Sequence, residues 1–179
     1  MKRVPLAVRK KAARIKLLLL DVDGVLTDGR IIINDRGVET KQFHVRDGQG
    51  ISLLIRAGID VGFITGRVSK VVRYRAQELG VRLIYQGVAD KRAAYAEIKR
   101  KTKRSDREIA YVGDDFIDLL VLRKVGLAIS VSDGWPELFS VVDYVTEQKG
   151  GLGAVREVAE LILNAQDKWP KLTERDSIC

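Results

Sequence analysis

The stretch LLLLDVDGVLTDG at residues 17–29 decides the fold. Four successive leucines leave no polar face, as in a strand covered on both sides, and the predicted strand at 17–22 carries Asp21 at its end. Working outward, further continuously apolar runs stand at 61–65, 83–85, 109–112, 127–129 and 144–145. Helix-period segments lie between them at about 50–57, 69–79, 91–101, 116–125 and 154–165. Repeated strand–helix units predict a parallel sheet with right-handed crossovers and helices on both faces, a Rossmann-like α/β architecture.

One segment breaks the rhythm. Two extended runs, 30–33 and 38–45, flank Asn34-Asp35-Arg36-Gly37, which predicts a β-hairpin flap over about 29–45, directly after the first strand. Residues 1–179 read as a single domain ending in an irregular tail over about 166–179.

Composition narrows the function classes. Cys179 is the only cysteine, so no internal disulfide forms and a reducing compartment is permitted. A basic N-terminus (Arg9, Lys10, Lys11, Arg14) precedes the apolar run at 15–20. That run is interrupted by Lys16 and falls short of the ~20 residues a spanning helix needs. It therefore reads as the approach to a buried strand, and the cytoplasm is the expected location. The net charge of +8 is dispersed, and aromatics make up only 6%, so no basic stripe with stacking aromatics argues for nucleic acid. The run Lys99, Arg100, Lys101, Lys103, Arg104 reads as an exposed helix end. A positive field of this kind suits an anionic metabolite.

Polar clusters close the strands: Asp21-Val22-Asp23-Gly24, Thr65-Gly66-Arg67, Asp90-Lys91, and Gly113-Asp114-Asp115 with Asp118 one turn on. In open parallel sheets ligands bind beyond the carboxyl ends of the strands, so these clusters share one edge. Two like charges 4 Å apart repel by about 4 kcal/mol at an effective dielectric of 20, so Asp21, Asp23 and Asp114 together demand compensation. Lys91 and Arg67 supply part of it, and a hard divalent cation with oxygen ligands supplies more, which points to magnesium. The same set suits phosphate monoester hydrolysis. A carboxylate nucleophile, Asp21, splits the reaction in two through an aspartyl phosphate. A second carboxylate, Asp23, serves as acid and then base, and it reaches the site where the chain turns at Gly24. A lysine, Lys91, stabilises charge on the transferring phosphoryl group.

DVDGVLTDG at 21–29, ITGR at 64–67, Lys91 and GDDFID at 113–118 resemble the four motifs of the haloacid dehalogenase superfamily. HVRDGQG at 44–50, YQGVADK at 85–91, YVGDD at 111–115 and GGLGAVREV at 150–158 extend the resemblance to its 3-deoxy-D-manno-octulosonate 8-phosphate (KDO 8-phosphate) phosphatase branch, over roughly residues 14–165. The resemblance implies magnesium bound by Asp21, Asp114 and the backbone carbonyl of Asp23. It implies phosphate held by Thr65 and Lys91, with Gly66 and Arg67 beside them, and supporting roles for Asp115 and Asp118. It further implies a fold without a cap domain, a homotetramer joined through the hairpins, and a place in lipopolysaccharide precursor synthesis. By the same analogy His44, Val45, Arg46, Asp47 and Gly48 lie near substrate, and Arg75 reaches in from an adjacent chain. Arg75 is equally readable as a surface helix charge, and His44 as a hairpin or interface residue.

Arg67 offers the bidentate fork that recognises a substrate carboxylate. A sister group acting on a nine-carbon keto-deoxy sugar acid phosphate often has glutamate after Thr-Gly, so Arg67 favours the eight-carbon substrate. Ser52 stands where many of the octulosonate enzymes carry a basic residue. Activity on other small sugar phosphates is one alternative. A receiver-like phosphate-binding module, which needs no second acid at Asp23, is a non-enzymatic one.

Overall fold

In a computed structural model describing residues 4–169, the four leucines form β1 (Leu17–Leu20), with β2 (Ile32–Ile33) and β3 (Glu39–Thr40) paired as a separate antiparallel hairpin. β4 (Asp60–Ile64), β5 (Leu83–Tyr85), β6 (Ile109–Gly113), β7 (Leu127–Ser130) and β8 (Tyr144–Val145) complete a parallel sheet with β1. Among the described residues its order is β5-β4-β1-β6-β7-β8. Leu18 pairs with Val61 on one side and Ala110 on the other, so β1 is central.

The leucine run is apolar throughout because alternate residues enter two cores. Leu18 and Leu20 pack with α1 (Leu6–Ala12), α2 (Val45–Arg56), α3 (Lys70–Glu78) and α6 (Ala154–Ala165). Leu17 and Leu19 pack on the opposite face with α4 (Lys91–Thr102) and α5 (Leu119–Leu122). Burying each leucine contributes about 1.5–3 kcal/mol, which anchors the strand whose end carries Asp21. The predicted parallel α/β architecture with helices on both faces is thus observed.

Several boundaries differ from expectation, each for a local reason. The strand predicted over 17–22 stops at Leu20, where the chain turns toward Gly24. α1 was not expected, because its basic residues mask Val8 and Ala12, four apart on one buried stripe. α2 begins at Val45 rather than 50, which ends the second hairpin run early. Its Gly48 and Gly50 serve packing. A Cβ at Gly50 would stand 3.1 Å from that of Ala159 on α6, and one at Gly48 would stand 2.1 Å from Arg75 Nη2. The helix predicted over 116–125 is a 3₁₀ turn, Phe116–Asp118, followed by the single-turn α5. Within the expected tail, Gln166 donates to the carbonyls of Ala12 and Ile15, and Lys168 to that of Ala57. Residues 170–179, including Cys179, lie outside the described residues.

The run at 99–104 is an exposed charge network: Lys99 pairs with Asp106, Lys101 with Glu97 and Arg104 with Asp60. No helix among the described residues is long and apolar enough to cross a membrane. The chain leaves β1 toward β4 and β5, then returns to β1's other side at β6. This reversal opens a crevice at the carboxyl ends of β1 and β6, where an α/β sheet binds its ligands.

Candidate active site

Asp21 follows β1, Thr65 follows β4, Asp114 follows β6, and Lys91 opens α4 after β5. The loop after Asp21 turns at Gly24, whose φ of +94° suits glycine. A Cβ at Gly24 would stand 2.0 Å from Asp114 Oδ2, so the bare backbone there is what lets the two loops close on each other. Gly113 is as tightly placed, since a Cβ there would stand 2.5 Å from Asp118 Cβ.

Lys91 is buried at the convergence. Its Nζ donates to Asp21 Oδ1 and Asp118 Oδ1, both at 2.6 Å, and lies 3.3 Å from the Tyr111 hydroxyl. Tyr111 donates to Asp118 Oδ1 at 2.5 Å. The other Asp118 oxygen accepts the backbone N–H groups of Asp114 at 3.0 Å and Asp115 at 3.2 Å. Burial pushes the Asp21 carboxyl up to about 7 even though Lys91 pulls it down, and the Asp118 charge adds to the rise. Burial, then the charges of Asp21 and Asp118, push Asp114 up to about 8. Burial opposes the charged form of Lys91, but Asp21 and Asp118 outweigh it and raise its pKa.

Oxygens of Asp21, Asp114 and Asp118 all lie within 4.8 Å of one another. Not all three are equivalent donors. Asp118 has both oxygens committed to Lys91, Tyr111 and backbone N–H groups, so it orients its neighbours rather than offering a ligand. Asp21 and Asp114 remain as two carboxylates whose ionised forms are disfavoured by burial and by neighbouring carboxylates. An all-oxygen pair short of positive charge fits a hard divalent cation such as magnesium.

Asp23, two residues after Asp21, is not one of these three grouped carboxylates; its own carboxylate is paired with the buried ammonium of Lys41. Lys41 Nζ is 3.3 Å from Glu39 Oε1, which also accepts from Arg67 Nη2 at 2.9 Å. Arg67 is therefore not the free fork expected of it, because Glu39 of the hairpin already holds one arm. Thr65 is buried, and its hydroxyl oxygen accepts the Arg67 N–H at 3.2 Å, while Gly66 is exposed. Lys41, Glu39 and Tyr111 escaped the sequence reading. Tyr111 lies inside an apolar strand and reads as core. Lys41 and Glu39 lie in a hairpin whose polar residues read as solvated, although two opposite charges alternating in a strand share a face.

The segment at 44–48 plays structural parts that were not foreseen. His44 caps α2, its Nδ1 accepting the Arg46 N–H at 3.3 Å. Asp47, expected near substrate, is buried and accepts the N–H groups of Gly153 at 3.1 Å and Arg156 at 2.7 Å, capping α6 from a distance. Val45 and Arg46 are exposed. Arg75 stacks over Phe43 at 5.9 Å, pairs with Glu78 and lies against Gly48, so within its own chain it does not join the carboxylate cluster. Asp115 uses its side chain to cap the turn at Phe116, with no bond to Lys91. Ser52 donates to the Gly48 carbonyl at 3.1 Å.

No family model matches the chain. The 3-deoxy-D-manno-octulosonate 8-phosphate phosphatase of Yersinia pestis is 50% identical over 161 residues, covering 90% of this chain and 86% of that protein. The Y. pestis crystal structure superposes with a TM-score of 0.91 at 48% identity, over 92% of this chain and 89% of that one. The Moraxella catarrhalis phosphatase, crystallised with a magnesium ion, a phosphate ion and KDO, superposes with a TM-score of 0.92 at 45% identity, over 94% and 97% of the two chains.

Proposed function

From the premise that the chain belongs to the 3-deoxy-D-manno-octulosonate 8-phosphate phosphatases of the haloacid dehalogenase superfamily, we propose that it hydrolyses that ester to the free sugar acid and phosphate with magnesium. The observation that carries the reading is the convergence of Asp21, Asp114 and Lys91 at one sheet edge, in a protein with a phosphate- and KDO-bound relative. The chain is a phosphoric monoester hydrolase, and on this reading it serves lipopolysaccharide precursor synthesis in the cytoplasm.

In this reading an Asp21 oxygen attacks phosphorus while Lys91, bound to Oδ1, fixes the carboxylate. The ester P–O bond breaks, its electrons leave with the sugar oxygen, and Asp23 supplies the proton that oxygen takes up. The phosphoryl group then sits on Asp21. Asp23 next removes a proton from water, the water oxygen attacks phosphorus, and the bond to Asp21 breaks to release phosphate. Thr65 and Lys91 hold the phosphoryl oxygens. Magnesium, held by Asp21, Asp114 and the Asp23 carbonyl, supplies charge neutralisation on the phosphoryl group when bound.

Arg67 meets the substrate carboxylate with the part of its guanidinium not held by Glu39. The hairpin stands where a cap would be inserted, and its exposed Ile31, Ile32, Ile33 and Val38 support packing against other copies in a homotetramer. Specificity constants across a panel of phosphorylated sugars, with and without magnesium, test the reading. We expect the octulosonate ester to exceed hexose phosphates and the nine-carbon analogue at least tenfold, with activity lost on chelation. Equal constants across the panel would overturn the substrate assignment, and undiminished metal-free turnover the mechanism.

A further inference from the structure

Lys41 stands outside every motif at the strand ends, yet its side chain is only 1% exposed and enters the site from the hairpin. Lysines are almost never buried without partners. Here the partners are Asp23 Oδ1 and, at 3.3 Å, Glu39 Oε1, and Glu39 binds Arg67 in turn. The chain Asp23–Lys41–Glu39–Arg67 therefore ties the loop after β1 to the loop after β4 through the root of the hairpin. Asp23 itself sits on an irregular loop, where its carboxyl would otherwise be free to rotate. With Oδ1 held by a buried ammonium, the partly exposed Asp23 carboxylate keeps Oδ2 out of this ion pair.

We propose that Lys41 is a positioning residue for Asp23, so that the hairpin root sets the geometry of proton transfer to the leaving group. This rests on the reading of Asp23 as the acid, and the test separates the two. kcat/KM reports the first, leaving-group step. It is to be measured for the sugar phosphate, whose alkoxide needs a proton, and for p-nitrophenyl phosphate, whose phenolate does not.

Lys41→Met is expected to lose about 100-fold on the sugar phosphate, within the range a general acid contributes, and far less on the aryl ester. Lys41→Arg should recover part of the loss. Asp23→Asn should show the same inequality more strongly. Should the methionine variant fail to fold, Lys41→Gln keeps a donor of similar length and supplies the same comparison. If Asp23→Asn discriminates between the esters while the Lys41 variant loses equally on both or not at all, the positioning role is wrong. If Asp23→Asn itself fails to discriminate, the acid assignment falls and takes the Lys41 role with it.

Discussion

The Lys91 ammonium and the Asp118 carboxylate meet at 2.6 Å inside the protein, 27 residues apart in the chain. Through its other oxygen Asp118 also gathers the N–H groups that shape the Asp114 loop, so one side chain holds both the lysine proposed to bind phosphate and the loop proposed to carry a metal ligand. Removing one partner of a buried pair costs about 3–5 kcal/mol. Asp118→Asn is accordingly expected to lower thermal stability by that order and kcat/KM by more than 100-fold, read by denaturant titration and phosphate release. Tyr111→Phe removes a single hydroxyl and should cost about 1 kcal/mol. An Asp118→Asn variant with near-native turnover would contradict the orienting role.

Gly24 makes a prediction of the opposite kind, in which fold survives and function does not. Its positive φ alone costs a non-glycine residue about 1–3 kcal/mol. The added methyl of Gly24→Ala would meet Asp114 Oδ2 at 2.0 Å and push that carboxylate off its place. Circular dichroism should remain native while magnesium affinity and turnover both fall steeply. Unchanged magnesium affinity would show that Asp114 does not depend on this contact.

The strands were legible because burial on both faces leaves a continuous apolar run, and the acidic motifs because each stands where such a run ends. Other features were hidden by what surrounds them. α1 is legible only as a basic segment until Val8 and Ala12 are seen against α6. The first turn of α2 was obscured by Gly48, which lies against the end of the Arg75 side chain, while Gly50 packs closely on Ala159 and Arg156 of α6. Contacts between distant segments, such as Lys41 with Asp23, have no local signature, because the hairpin's fold-back sets them.

Asp47 separates a structural role from a substrate role. Its carboxylate accepts two N–H groups at the start of α6, and burial raises its pKa against those bonds. Asp47→Ala should destabilise the protein by about 1–3 kcal/mol, as a lost cap and two unsatisfied buried donors would, with KM for the sugar phosphate little changed. A variant of native stability with a large rise in KM would return Asp47 to the substrate.

Asp21 and Asp114 also govern how stability responds to pH. Their folded pKa values, about 7 and about 8, lie above the ordinary carboxylate value of 3.8. Between about pH 4 and 8 the folded chain therefore holds more protons on these groups than the unfolded chain, and stability falls as pH rises through that window. Lys91 stays charged in both states there and leaves the trend unaltered. Magnesium needs both carboxylates ionised, so its stabilising effect should grow over the same window. Melting temperatures with and without magnesium at a series of pH values check this, and a magnesium shift independent of pH would refute it.

The most direct measurement is acid-quench mass spectrometry of the enzyme during turnover of the octulosonate phosphate with magnesium. The mechanism predicts one phosphoryl group on the peptide that carries Asp21, absent from Asp21→Asn, which should also be inactive. Phosphoryl label at another residue, or turnover by Asp21→Asn at a rate near that of the native enzyme, would contradict it.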